Sequence, residues 1–133
     1  MTGKHAPAVM RVLIVEDDIV FRVPLRATLA RAGYAVVAVD SAEAAETVLS
    51  TEAVDVVLSD LGLPGMDGAA LAARHPEIPF VLMTGSPADH TPRAAPPPSV
   101  MARLVKPLDV PHLLAALGDA VEAAGAAREA IGP

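Results

Sequence analysis

Cysteine is absent from the 133 residues, which excludes disulfides and thiolate metal sites. Tryptophan is absent as well, and Phe21, Tyr34 and Phe80 are the whole aromatic set. Base-stacking platforms for nucleic acid need more rings than that. No basic patch offsets the net charge of −6, which argues against direct nucleic-acid contact. No apolar run approaches the ~18 residues of a membrane span, so no membrane insertion is expected. The opening MTGKHAPAVMR lacks the apolar stretch of a signal peptide. These absences point to a soluble, cytoplasmic protein. Lysine is scarce: Lys4 lies in a tail, which leaves Lys106 as the single lysine of the folded part.

What is present is apolar and small. The hydrophobic fraction is 53%, much of it alanine, and the length suits one domain with a tightly packed core. Two kinds of segment alternate. Strand-like runs rich in β-branched residues fall at Arg11–Val15, Ala35–Val39, Asp55–Ser59, Phe80–Met83 and Val100–Val105. Helical spacing of Phe21, Leu25, Leu29 and Ala32 predicts a helix over 18–32, which Pro24 should bend or start late and Gly33 should stop. Ser41, Asp67 and Asp109 are expected N-caps of three further helices. The apolar face of the second is Ala44, Ala45, Val48 and Leu49. That of the last is Val110, Leu113, Leu114, Leu117 and Val121. Between the fourth and fifth strands, five prolines interrupt GSPADHTPRAAPPPSV, so an extended loop is expected where a helix would otherwise cross. Residues 1–9 and 125–133 read as tails, the latter alternatively as a helix extension, and 10–124 as the domain.

Buried, non-alternating strands separated by helices indicate an α/β protein with a parallel, doubly wound sheet. Ligands in such sheets bind beyond the carboxyl ends of the strands. The first strand ends in Glu16-Asp17-Asp18, the third in Asp60, the fourth in Thr84-Gly85, and the fifth in Lys106-Pro107. Any one of these has an ordinary explanation as a cap, a turn or a solvated side chain. Their coincidence at one edge does not. Adjacent carboxylates raise the cost of ionising one another unless a cation neutralises them. Oxygen-only ligands suit Mg²⁺, or Mn²⁺. An aspartate nucleophile, a lysine point charge and a hydroxyl donor suit phosphoryl transfer.

The motifs VLIVEDD, VVLSDLGLPGMDG, MTG and VKPLD resemble the receiver domain of two-component response regulators, in order and spacing. The resemblance implies a flavodoxin-like sheet in the order 2-1-3-4-5. It implies that Asp60 is the phosphorylation site, supplied by a histidine kinase or a histidine phosphotransfer protein. It implies Mg²⁺ held by Asp17, Asp60 and the backbone carbonyl of Gly62, with Glu16 acting through water. Asp18 falls one place beyond the metal pair and reads as a helix cap. The resemblance further implies Thr84 as switch hydroxyl, Lys106 as phosphate-binding lysine, and a cis peptide before Pro107. Gly85 leaves room for the donor, and Pro64, Gly65 and Gly68 match the turn after the phosphorylated strand.

Two departures stand out. Arg103 occupies the place of an aromatic residue that normally follows the threonine inward, and the proline-rich segment replaces the usual fourth helix. No output domain follows in this sequence, so a stand-alone receiver with a separate downstream protein is expected. Phosphorylation is expected to order residues 85–99 through Thr84. The four histidines (His5, His75, His90, His112) read as surface residues without ligand spacing. Two other classes compete with this one. An aspartate-nucleophile hydrolase would place D-x-D after the first strand. A degenerate docking receiver would lack part of the quartet Asp17, Asp60, Thr84 and Lys106.

Overall fold

The computed structural model describes residues 9–85 and 96–131, with side chains to 125. The element order is β1 (Arg11–Val15), α1 (Ile19–Arg31), β2 (Ala35–Val39), α2 (Ala42–Thr51), β3 (Val56–Asp60), α3 (Gly68–Ala73), β4 (Phe80–Thr84), β5 (Val100–Val105) and α4 (Val110–Ile131). All four strand pairings are parallel, and the sheet order is β2-β1-β3-β4-β5. This is the expected flavodoxin-like arrangement. Residues 1–8 and residues 86–95 of the proline-rich segment, His90 among them, lie outside the described residues, so the loop expected there is not described.

Two apolar layers hold the sheet. Val12, Ile14, Val56, Leu58, Val81 and Met83 face Leu25 and Leu29 of α1 and Leu113 and Leu117 of α4. Leu13, Val15, Val57, Phe80 and Leu82 face Ala42 and Ala45 of α2 and Leu71 and Ala72 of α3. Central strands buried on both faces need unbroken apolar runs, which β1, β3 and β4 supply. Edge strand β2 is half-buried throughout.

The caps fall where the sequence puts them. Asp18 accepts from the Val20 N–H, Ser41 from Ala44, Asp67 from Ala70 and Asp109 from His112. Gly33, at φ 103°, closes α1 in a left-handed turn that a side chain would resist. Pro24 does not delay the start of α1. The helix begins at Ile19 and carries Pro24 internally, on an exposed side where water can replace the missing donor. Ala32 is not part of the buried stripe: it is the exposed C-cap. Val110 is likewise 42% exposed. Ala116 and Ala120 fill the helix–sheet contact beside Leu113 and Leu117.

Candidate functional site

Strand polarity brings four strand ends to one edge. Extending β1 by one residue gives Glu16, whose N–H still bonds the Val39 carbonyl at 3.0 Å. That bond holds Glu16 in the sheet and buries it to 1% exposure. Asp17 then emerges exposed, and Asp18 turns away to cap α1. Asp60 closes β3 at 9% exposure. One carboxylate oxygen each from Glu16, Asp17 and Asp60 lies within 4.8 Å of the other two.

Lys106 arrives from the end of β5. The Lys106 N–H donates to the Thr84 carbonyl at 2.7 Å, which ties the ends of β4 and β5 together. Thr84 is itself buried at the edge. The Lys106–Pro107 peptide is cis, as the resemblance implies. The Lys106 ammonium sits 2.6 Å from Glu16 Oε1 and 3.6 Å from Asp60 Oδ1. Glu16 Oε2 accepts the Asp18 N–H at 3.1 Å, so both oxygens of Glu16 have protein partners. Arg22 reaches back from α1 to donate to the Glu16 carbonyl at 2.8 Å.

Burial pushes the Asp60 carboxyl above its ordinary 3.8; Lys106 opposes the rise, the Asp17 charge adds to it, and a Gly62 N–H bond opposes it. Burial also raises Glu16 above 4.5, against the hydrogen bonds from Lys106 and the Asp18 N–H. In both groups burial is the main cause, and a neighbouring carboxylate adds to it. Three carboxylates in reach of one point, two of them held by the sheet, fit a hard divalent cation with oxygen ligands. The cluster therefore passes the chemical test for Mg²⁺.

Gly68 packs where a side chain cannot. A Cβ there would meet the Asp60 carbonyl at 2.5 Å and Ser59 Oγ at 3.0 Å. Its N–H bonds the Leu61 carbonyl at 2.9 Å, which folds the turn after β3 against Asp60. Pro64 and Gly65 form the outer part of this turn, with Gly65 at φ 81°.

Two neighbours of the site, and one contact away from it, carry no signal in the sequence. Phe21, read as a core residue, lies with its ring centroid 4.3 Å from the Lys106 ammonium. Arg22 was assigned no role. His75 is not a free surface histidine: its Nε2 is 2.6 Å from Glu46 Oε1, joining the end of α3 to α2. Helical spacing at Phe21 marks an inward face but does not say that a cation waits there. Pairing of His75 with Glu46, 29 residues apart, leaves no local signal.

The response regulator receiver domain model matches residues 12–118. Response regulator protein FleR of Pseudomonas aeruginosa is 44% identical over 108 residues, 78% of this chain and 23% of that protein. Transcriptional regulatory protein GlrR of Escherichia coli K12 is 35% identical over 122 residues, 89% of this chain and 27% of that protein. The chain thus spans about a quarter of the length of these curated relatives, and they do not carry the stand-alone expectation. Among solved structures, the signal receiver domain of an HD domain-containing protein from Pseudomonas fluorescens Pf-5 aligns with a TM-score of 0.86 at 29% identity, covering 97% of this chain and 98% of that one. Acid-tipped strands, a lysine poised over them and matches along most of the length make one statement: this chain belongs to the response regulator receiver domain family.

Proposed function

We propose that this receiver accepts a phosphoryl group on Asp60 from the phosphohistidine of a histidine kinase or phosphotransfer protein. It would then act as a phosphorylation switch or phosphate shuttle. The observation that supports this best is the convergence of Glu16, Asp17 and Asp60 within 4.8 Å of one another, with the Lys106 ammonium 3.6 Å from Asp60.

An Asp60 oxygen attacks phosphorus, forming a P–O bond as the P–N bond to the donor imidazole breaks. The departing nitrogen keeps the electron pair and is protonated. Asp60 must be ionised to attack, and burial opposes this, so Lys106 helps by favouring the carboxylate. Lys106 is also the ammonium available to a phosphoryl oxygen. Thr84, buried at the neighbouring strand end, supplies the hydroxyl that donates to another. Asp17, Asp60 and the Gly62 carbonyl would hold the cation, with Glu16 reaching it through water because its oxygens serve Lys106 and Asp18. Bound there, Mg²⁺ or Mn²⁺ supplies positive charge against the transferring group.

We place the domain in the cytoplasm. Among the described residues no helix is long and apolar enough to cross a membrane. The test is intact mass after incubation with acetyl phosphate and Mg²⁺. Wild type should gain one base-labile phosphoryl group; Asp60→Asn, or wild type with excess chelator, should gain none. Multiple turnover of an external phosphoester would favour a hydrolase, and no gain in wild type a docking module.

A further inference from the structure

Among the described residues, the Lys106 ammonium lies close to Glu16 at 2.6 Å, Asp60 at 3.6 Å, and the Phe21 ring at 4.3 Å from its centroid. The three differ in kind. Asp60 becomes an acyl phosphate in the chemistry proposed above, and Glu16 belongs to the acidic cluster. Both carboxylates spend the lysine's charge in holding it. The ring does neither. Its face attracts the ammonium through the quadrupole without neutralising it, and it is chemically inert throughout.

Local structure explains how Phe21 reaches the site. Ile19 is the first residue of α1, which puts Phe21 third, and its N–H bonds the Asp18 carbonyl at 3.1 Å. Helical side chains lean toward the N-terminus. A large side chain in the first turn of α1 therefore leans back over the strand ends, while Leu25 and Leu29 below it enter the core. Arg22, the next residue, anchors the same turn to the Glu16 carbonyl. The turn is thus tied to β1 at the point where the ring meets the lysine.

We propose that Phe21 is a positioning residue. It holds the Lys106 ammonium beside Asp60 while leaving its charge available to the incoming phosphoryl oxygens. This inference rests on Asp60 being the acceptor. Phe21→Leu keeps an apolar side chain and removes the π face; Phe21→Tyr keeps the face. Phosphorylation by acetyl phosphate should slow about three- to tenfold in Phe21→Leu, the scale of one cation–π contact. Phe21→Tyr should restore it. Mg²⁺ affinity by calorimetry should stay within about twofold in both, since Phe21 is no ligand and one such contact is small.

A second readout needs no phosphodonor. Stacking on a ring shifts the Lys106 ε-CH₂ protons upfield in NMR spectra of wild type and Phe21→Tyr, and Phe21→Leu should abolish the shift. Unshifted ε-protons in wild type, an unchanged rate in Phe21→Leu, or a loss that Phe21→Tyr fails to rescue would each overturn the inference. A parallel fall in Mg²⁺ affinity would do so too, since it would mean general damage to the site. Wild type that takes no phosphoryl group would instead sink the acceptor reading, and the upfield shift would still be seen.

Discussion

Asp60 and Glu16 are held at a cost that pH can reveal. Each binds its proton more tightly in the folded chain than in the unfolded one, because burial raises both. The contribution of these two groups to folding stability is therefore fully present below the ordinary values of 3.8 and 4.5 and is lost as pH rises through the raised folded values. Metal-free Asp60→Asn, which cannot ionise, should melt higher than wild type at neutral pH. The gap should narrow as pH falls toward about 4. Thermal melts in chelator at several pH values check this; a gap that widens on acidification would mean the charge is stabilising. Most of the site was legible at this scale, because strand ends are easy to find and only one lysine lies among the described residues. Glu16 was harder. Its direct 2.6 Å pairing with Lys106 depends on side-chain reach across 90 residues, which spacing does not encode.

The elements that carry these residues are short, and their ends matter more than their middles. Asp18 caps α1 by accepting from Val20, and α1 carries Phe21 and Arg22 to the site. Asp18→Ala should cost about 1 kcal/mol in denaturant unfolding. Unchanged stability would show that the start of α1 is held by packing instead. Gly68 permits α3 to begin directly beneath Asp60. Gly68→Ala should cost about 1–3 kcal/mol, since its Cβ would press on the Asp60 carbonyl at 2.5 Å. A neutral result would mean the turn after β3 can yield. Strand positions were readable from β-branched runs, although β3 and β4 each run one residue further than the pattern suggests, to Asp60 and Thr84. Polar residues look like strand terminators, yet here hydrogen bonds continue past them: the Leu61 N–H still reaches the Met83 carbonyl at 2.7 Å. The contact between α2 and α3 was not readable. Burial pushes Glu46 up, but bonds from His75 and Arg74 outweigh it and leave the carboxyl below its usual range.

For the whole molecule, parallel strand order is what turns four separate strand ends into one site. Glu16, Asp60, Thr84 and Lys106 come from β1, β3, β4 and β5, and the sheet alone makes them neighbours. That the strands run parallel could be inferred because strands and helices alternate and central strands are apolar on both faces, whereas their order was what the family resemblance implied. The same reasoning gives a global prediction for cation binding. A ligand that binds only the folded state at tenfold its dissociation constant adds about 1.4 kcal/mol of stability. Mg²⁺ should raise the melting temperature of wild type and have a much weaker effect on Asp17→Ala. Equal shifts in both would place the ion elsewhere. The most direct test of the central claim is to locate the transferred group. After acetyl phosphate treatment, borohydride reduction converts an aspartyl phosphate to homoserine, and peptide sequencing by mass spectrometry then reads the position. Homoserine at position 60, and nowhere else, is the predicted result. Modification at Asp17, or a phosphoryl group retained on another side chain with Asp60 intact, would contradict it.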